Sequence, residues 1–278
     1  MKKFFKRFLL FFCLPVAIFI AFVFGSTFYI RNWMPEKFDY QDHTTHFNIS
    51  YNESEKSAIA DIENRLESSY DRITNDLKQP MDKPINIKIY PDLDSLHFSL
   101  KLNSGLFWWI NIFGKMDSKV VGNTDTGSKC IQMVSPLNPG ESKYTYDQIL
   151  SVAIHEFTHA VAINLAPNKE SINSGFGMFL QDGLAVYESG QWPLVFNRDG
   201  RFTNKDIFGG ITDSVDKLSP SDGNRYATGY SFVKYVVENY GFDKIIDLLK
   251  KDYSGNNYDS ETRALYDEWI EYLKANQD

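Results

Sequence analysis

"SVAIHEFTHAVAINLA", residues 151–166, sets two of the chain's five histidines four positions apart, with a glutamate beside the first. Ile149, Leu150, Val152, Ala153, Ala160, Val161 and Ile163 surround them with apolar side chains. The spacing predicts a mostly buried helix over 146–165, stopped near Pro167. On a helix, residues i and i+4 share one face, with Cβ atoms about 5–6 Å apart. His155 and His159 therefore turn both imidazoles toward one point. Burying two imidazoles and a carboxylate on such a helix without partners costs several kcal/mol.

A bound metal ion removes that cost. Zinc accepts neutral imidazole nitrogens. Glu156 is rotated to the side of such an ion, where a carboxylate can hold a water and take its proton. This is the H-E-x-x-H arrangement of zinc metallopeptidases. Chance gives it to a chain of this composition about once in two hundred, so the spacing argues for a site. A catalytic zinc usually has three protein ligands and a water. The next predicted helix, "GFGMFLQDGLAVYESG" (175–190), offers Asp182 and Glu188. Six positions apart, they point to different faces, and only one can reach the ion.

"HEFTH" followed by "DGLAVY" resembles the gluzincin metallopeptidases. Their second helix carries E-G-x-A-x-Y, whose first acid is the third zinc ligand. The resemblance implies Asp182 for that role, with Gly183, Ala185 and Tyr187 in the matching positions. Aspartate in place of glutamate is one methylene shorter, which keeps Glu188 as the alternative. "YATGYSFVKYVVENYG", from Tyr226, is similar to a Y-x-x-G-x-S-F-x-x-Y segment of this clan. By position it implies Tyr226 as the hydrogen-bond donor to the oxyanion, ahead of Tyr230, a role that suits a phenol. The family also implies a strand before the active helix that pairs with extended substrate. "SKCIQMVSP" (128–136) stands in that place, and an edge strand can bind a peptide backbone. Thermolysin-like enzymes have an aspartate four residues after the third ligand, where this chain has Val186. Another acceptor, such as a backbone carbonyl, must then orient the zinc histidine. The G-x-M-E-N element that holds a free amino terminus in aminopeptidases is absent, which favours endopeptidase action.

The rest of the chain sets the context. Its 278 residues carry a net charge of −7, which argues against a general nucleic-acid partner. From Phe8 to Ile30 no residue is charged, and Lys2, Lys3, Lys6 and Arg7 precede that run. It is long enough for a bilayer core, which takes about 20 apolar residues. No good small-x-small cleavage site follows, so residues 1–31 read as an uncleaved signal anchor, with a cleaved secretory signal as the alternative. The basic cluster predicts a cytoplasmic N-terminus. The chain is then a single-pass protein of the cell membrane with its catalytic domain outside the cytoplasm.

Residues 32–44 read as a linker and 45–278 as one domain. Cys13 lies in the apolar run and Cys130 is alone beyond it, so no disulfide framework is possible there. "THFNISY" (45–51), "INIKIYP" (85–91) and 128–136 read as strands, with helices over 54–77 and, capped by Asp92, 92–102. After 146 every predicted element is a helix. Strands first and helices later make an α+β fold, which the resemblance renders as a zincin-like domain with a small N-terminal sheet and a helical C-terminal part. "GLFWWINIFG" (105–114) reads as core or covered loop. His43, His46 and His97 have no ligand spacing.

Two functions of different classes follow. The first is a zinc peptidase acting on peptides or proteins. The second is a non-catalytic surface module that keeps the scaffold and binds a peptide or a cell-wall partner. Glu156 argues against the second, since a binding module has no use for that carboxylate, whereas the aspartate at 182 speaks slightly for it. An active site inside the bilayer is excluded because "HEFTHAVAINLAPNKES" lies outside the one long apolar span.

Overall fold

Alternating apolar residues build a five-stranded sheet in the first half of the chain, and aromatic helix faces build the second half. The computed structural model describes residues 13–19, 21–22, 25, 36–103, 120–142, 144–192, 194 and 203–276. Strands β1 (Tyr40–His43), β2 (Phe47–Tyr51), β3 (Ile85–Tyr90), β4 (Gly122–Thr124) and β5 (Ile131–Val134) lie in the order β1-β2-β3-β5-β4. The three central strands β2, β3 and β5 are parallel, and β1 and β4 join them antiparallel at the two edges. Ile85, Ile87 and Ile89 bury one face of β3, and β5 is buried on both faces, as a central parallel strand requires. Helix α1 (Lys56–Asp76) makes the crossover from β2 to β3, and α2 (Leu93–Asn103) follows β3. The Asp92 carboxylate caps α2 through the Ser95 amide.

Two expectations are corrected here. The stretch read as a linker over 32–44 contains β1, which pairs with β2 and stacks Tyr40 on Tyr51. The stretch read as the substrate-pairing strand is not an edge. β5 is hydrogen-bonded on both sides, and the edge beyond it is the unexpected β4. "GNT" has no apolar alternation, so no periodicity marks that strand.

Among the described residues seven α-helices follow: α3 (Tyr146–Ile163), α4 (Lys169–Ile172), α5 (Gly175–Ser189), α6 (Asn204–Gly209), α7 (Arg225–Tyr240), α8 (Phe242–Leu249) and α9 (Ser260–Ala275). The mixed sheet followed by helices is consistent with α+β. α3 is the central element. Its Phe157 meets Phe47 of β2 at 5.2 Å and Tyr70 of α1 at 5.6 Å between ring centroids. A second aromatic cluster, Phe176, Phe179, Phe232, Tyr266 and Trp269, binds α5, α7 and α9 together. All five of its side chains are fully buried.

Among the described residues no helix is long and apolar enough to cross a membrane. The expected span over 8–30 lies mostly outside them, and residues 105–114 lie wholly outside.

Candidate active site

Thr145 starts α3 with a reciprocal cap, accepting from the Gln148 amide while Gln148 Oε1 accepts from its own. From there the helix is buried almost throughout, and His155, Glu156 and His159 fall on consecutive turns. The two Nε2 atoms face each other at 3.1 Å. Asp182, from the middle of α5, brings Oδ1 to 3.3 Å from His159 Nε2. The ligand-type atoms of His155, His159 and Asp182 all lie within 4.8 Å of one another.

A close approach of two helix backbones makes this possible. A Cβ on Gly183 would sit 2.2 Å from the Gly229 carbonyl carbon, and one on Gly229 would sit 2.4 Å from the Phe179 carbonyl oxygen. Only glycine on both sides lets α5 and α7 meet there. That contact draws the first turn of α7 over Asp182. Arg225 Nε donates to Asp182 Oδ2, and Arg225 Nη2 donates to the Tyr226 hydroxyl at 3.2 Å. The Tyr226 ring lies 5.9 Å from that of His155.

The charges of the protein itself poise these groups. Burial, and then the neighbouring His159, push His155 down to about 3, so its ring is neutral. Neutral imidazole is the form that ligates a metal. Burial also opposes charge on His159, yet the hydrogen bond and charge of Asp182 outweigh it and hold His159 above its ordinary value. Asp182 shows the reciprocal effect. Its burial is outweighed by His159 and then Arg225, which keep the carboxyl below the usual range. Burial raises Glu156 against the pull of His159 and Thr124. Burial likewise raises Tyr226, which stays a protonated phenol.

The donor set fits a metal ion. Two imidazole nitrogens that point at each other cannot both carry protons, and a cation accepting both lone pairs with the carboxylate resolves the conflict. Two histidines and one carboxylate are also a common protein ligand set of catalytic zinc. The group nearest to the expected acceptor is the Gln191 side chain, which acts on His155 as a hydrogen-bonding group, although His155 Nδ1 makes no bond of good geometry among the described residues.

Of the residues singled out in the sequence, the structure brings together His155, Glu156, His159, Asp182 and Tyr226. It does not bring Glu188. That side chain is buried on another face of α5, where Arg72 of α1 donates from Nη1 to its Oε2 and from Nη2 to its carbonyl oxygen. Tyr230 stacks on Trp192 at 4.5 Å. Cys130 is no member of the ligand group. His46 pairs with Glu67 and stacks on Tyr70, a structural role.

Sequence reasoning missed two functional side chains. Thr124, on β4, places its hydroxyl 2.8 Å from both Glu156 Oε2 and the Glu156 carbonyl oxygen. Gly122 lets β4 lie this close, since a Cβ there would reach Glu156 Oε1 at 2.8 Å. The other is Arg225. Its signal was a short acid at position 182 and an arginine directly before the candidate phenol.

Residues 144–277 match the model of the Peptidase MA superfamily. That match supports a gluzincin-type metallopeptidase-like domain over the helical part of the chain. No curated protein matches the chain. The matched stretch begins at α3, so the sheet that supplies Thr124 precedes it.

Proposed function

We propose that this chain is a membrane-anchored zinc endopeptidase that hydrolyses peptide bonds outside the cytoplasm. The observation that carries the reading is the convergence of His155, His159 and Asp182 from two buried helices, with Glu156 beside them. Those three side chains would hold a zinc ion, which would act as a Lewis acid and lower the pKa of a water. Glu156, raised by burial, takes the proton of the attacking water and passes it to the leaving amine nitrogen. The Thr124 hydroxyl fixes the orientation of that carboxylate. Tyr226 donates a hydrogen bond to the carbonyl oxygen where negative charge develops.

Substrate positioning falls to β4. Val121 and Asp125 direct their backbone bonds at β5, and by antiparallel alternation Gly122 and Thr124 turn theirs to the other edge. An extended peptide adding to that edge lies against Glu156. The absent amino-terminus-binding element supports internal cleavage, and the apolar run with its basic flank supports the anchor and its orientation.

The test is metal content and peptidase activity of the full-length chain in detergent. One zinc per chain is expected, kept in Glu156→Gln and lost in His159→Ala. Activity on an unfolded protein substrate falls about 10²–10⁴-fold in Glu156→Gln. Full activity in that variant sinks the mechanism. A folded protein without metal sinks the peptidase reading and leaves the binding module.

A further inference from the structure

At the start of α7 an arginine meets the same aspartate that faces the histidines. Asp182 has two carboxylate oxygens, and only one faces the imidazoles. Oδ1 lies 3.3 Å from His159 Nε2, while Oδ2 accepts from Arg225 Nε. Asp182 is 4 % exposed, so neither oxygen is left to bulk water. The guanidinium is itself fixed at three points. Besides Asp182 it donates from Nη2 to the Tyr226 hydroxyl at 3.2 Å and from Nη1 to the Asp222 carbonyl at 3.3 Å. It also lies over the Tyr226 ring, 4.8 Å from its centroid. A planar fork of donors can hold a carboxylate and a phenol in one fixed relation, which a lysine ammonium cannot.

The geometry points to Arg225 as a positioning residue that orients Asp182 as the third metal ligand and ties it to Tyr226. The inference rests on the metal-centre reading above and deepens it. It accounts for the aspartate. A shorter acid has less reach, and its orientation must be held from behind. Arg225 holds it from the first turn of a helix whose distance from α5 is set by the Gly183–Gly229 contact. Tyr226, next in the chain, is placed by the same guanidinium. The arms of Arg225 are engaged within the protein, so its task is orientation rather than contact with substrate.

The test uses the full-length protein in detergent, with zinc affinity measured by competition against a chromophoric chelator. Cobalt loading adds a second readout, because its visible absorption reports coordination geometry. Arg225→Ala and Arg225→Lys are compared with wild type, and Arg225→Ala is repeated in an Asp182→Ala background. Thermal melts establish that each variant folds. If Arg225→Ala does not fold, Arg225→Lys, which keeps the charge and length, carries the test. Both single variants are expected to weaken zinc binding about 10–100-fold, the usual effect of losing a partner behind a ligand. Their cobalt spectra shift, and the effect of Arg225→Ala vanishes once Asp182 is gone. Zinc binding as tight as or tighter than wild type in folded Arg225→Lys overturns the inference while the metal centre stands. Wild type that binds no zinc overturns the metal reading itself.

Discussion

Helix α5 carries two buried acids six positions apart, and each is met by an arginine from another helix. Asp182 faces α3 and α7, between His159 and Arg225. Glu188 faces α1, against Arg72. Asp182 has both oxygens engaged, one of them toward imidazoles that lack a common partner. Glu188 uses one oxygen on Arg72, and its Oε1 is buried with no partner among the described residues. The residue type does not separate these roles, and in the gluzincin pattern that the chain resembles the ligand is glutamate. What separates them is the element lying opposite. The α3 helix brings histidines, and the α1 helix brings Arg72 and Asp76 but no histidine.

The largest effect that can break this comparison is on metal binding. Asp182→Ala is expected to lose its zinc on purification, leaving only the weak binding of two histidines that a competition titration still reads, a loss beyond the roughly 10–100-fold that a missing supporting partner causes. Glu188→Ala is expected to keep one zinc per chain. Elemental analysis of the two folded variants decides it. Metal lost from Glu188→Ala and kept in Asp182→Ala would reverse the assignment.

A smaller effect tests why Asp182 reaches the histidines at all. Gly183→Ala puts a methyl group 2.2 Å from the Gly229 backbone, and neither helix can yield locally. The expected cost is about 3 kcal/mol, the upper end for overpacking a core, together with weakened zinc binding. Gly190 is the control. It ends α5 in the left-handed region at φ 66, and a Cβ there meets nothing within 4 Å. Gly190→Ala strains only its own backbone, at about 1 kcal/mol, and leaves zinc affinity unchanged. Equal metal affinity in Gly183→Ala and Gly190→Ala would show that the helix contact does not set the site.

Much of this arrangement was legible beforehand, and the reasons are local. The i, i+4 histidines on an apolar helix and the glycine-bounded helix after them are written within single elements. So are the ends of α3 and α5, which the structure moves by a residue or two. What was not legible depends on elements distant in the chain. β1 lies in a stretch without a long apolar pattern and exists because β2 offers it a partner. β4 is three residues long and is held by β5 and the face of α3. Thr124 and Arg225 act through side chains 32 and 43 positions away, Glu156 and Asp182. No periodicity encodes such contacts. The choice between Asp182 and Glu188 came from the resemblance, since helix geometry alone says only that they differ in direction.

The gentlest test concerns Glu188 alone, through pH. Burial pushes its carboxyl up to about 7, against the opposing pull of Arg72 and with some help from Asp76. In the unfolded chain the same group titrates near its ordinary 4.5. Between those values the unfolded state has released a proton that the folded state still holds, so folding stability falls as pH rises from about 4.5 to about 7. Below and above that window Glu188 contributes no slope. The change is on the order of 3 kcal/mol, at about 1.4 kcal/mol for each unit between 4.5 and about 7. Glu188→Gln removes the titration and keeps the shape. Its stability, measured by denaturant melts at several pH values, is expected to lack this descent while its zinc content matches wild type. All other titrating groups are common to both proteins and cancel in the difference. Parallel curves would mean that Arg72 keeps Glu188 ionised throughout, and the two acids of α5 would then differ in their neighbours but not in their charge.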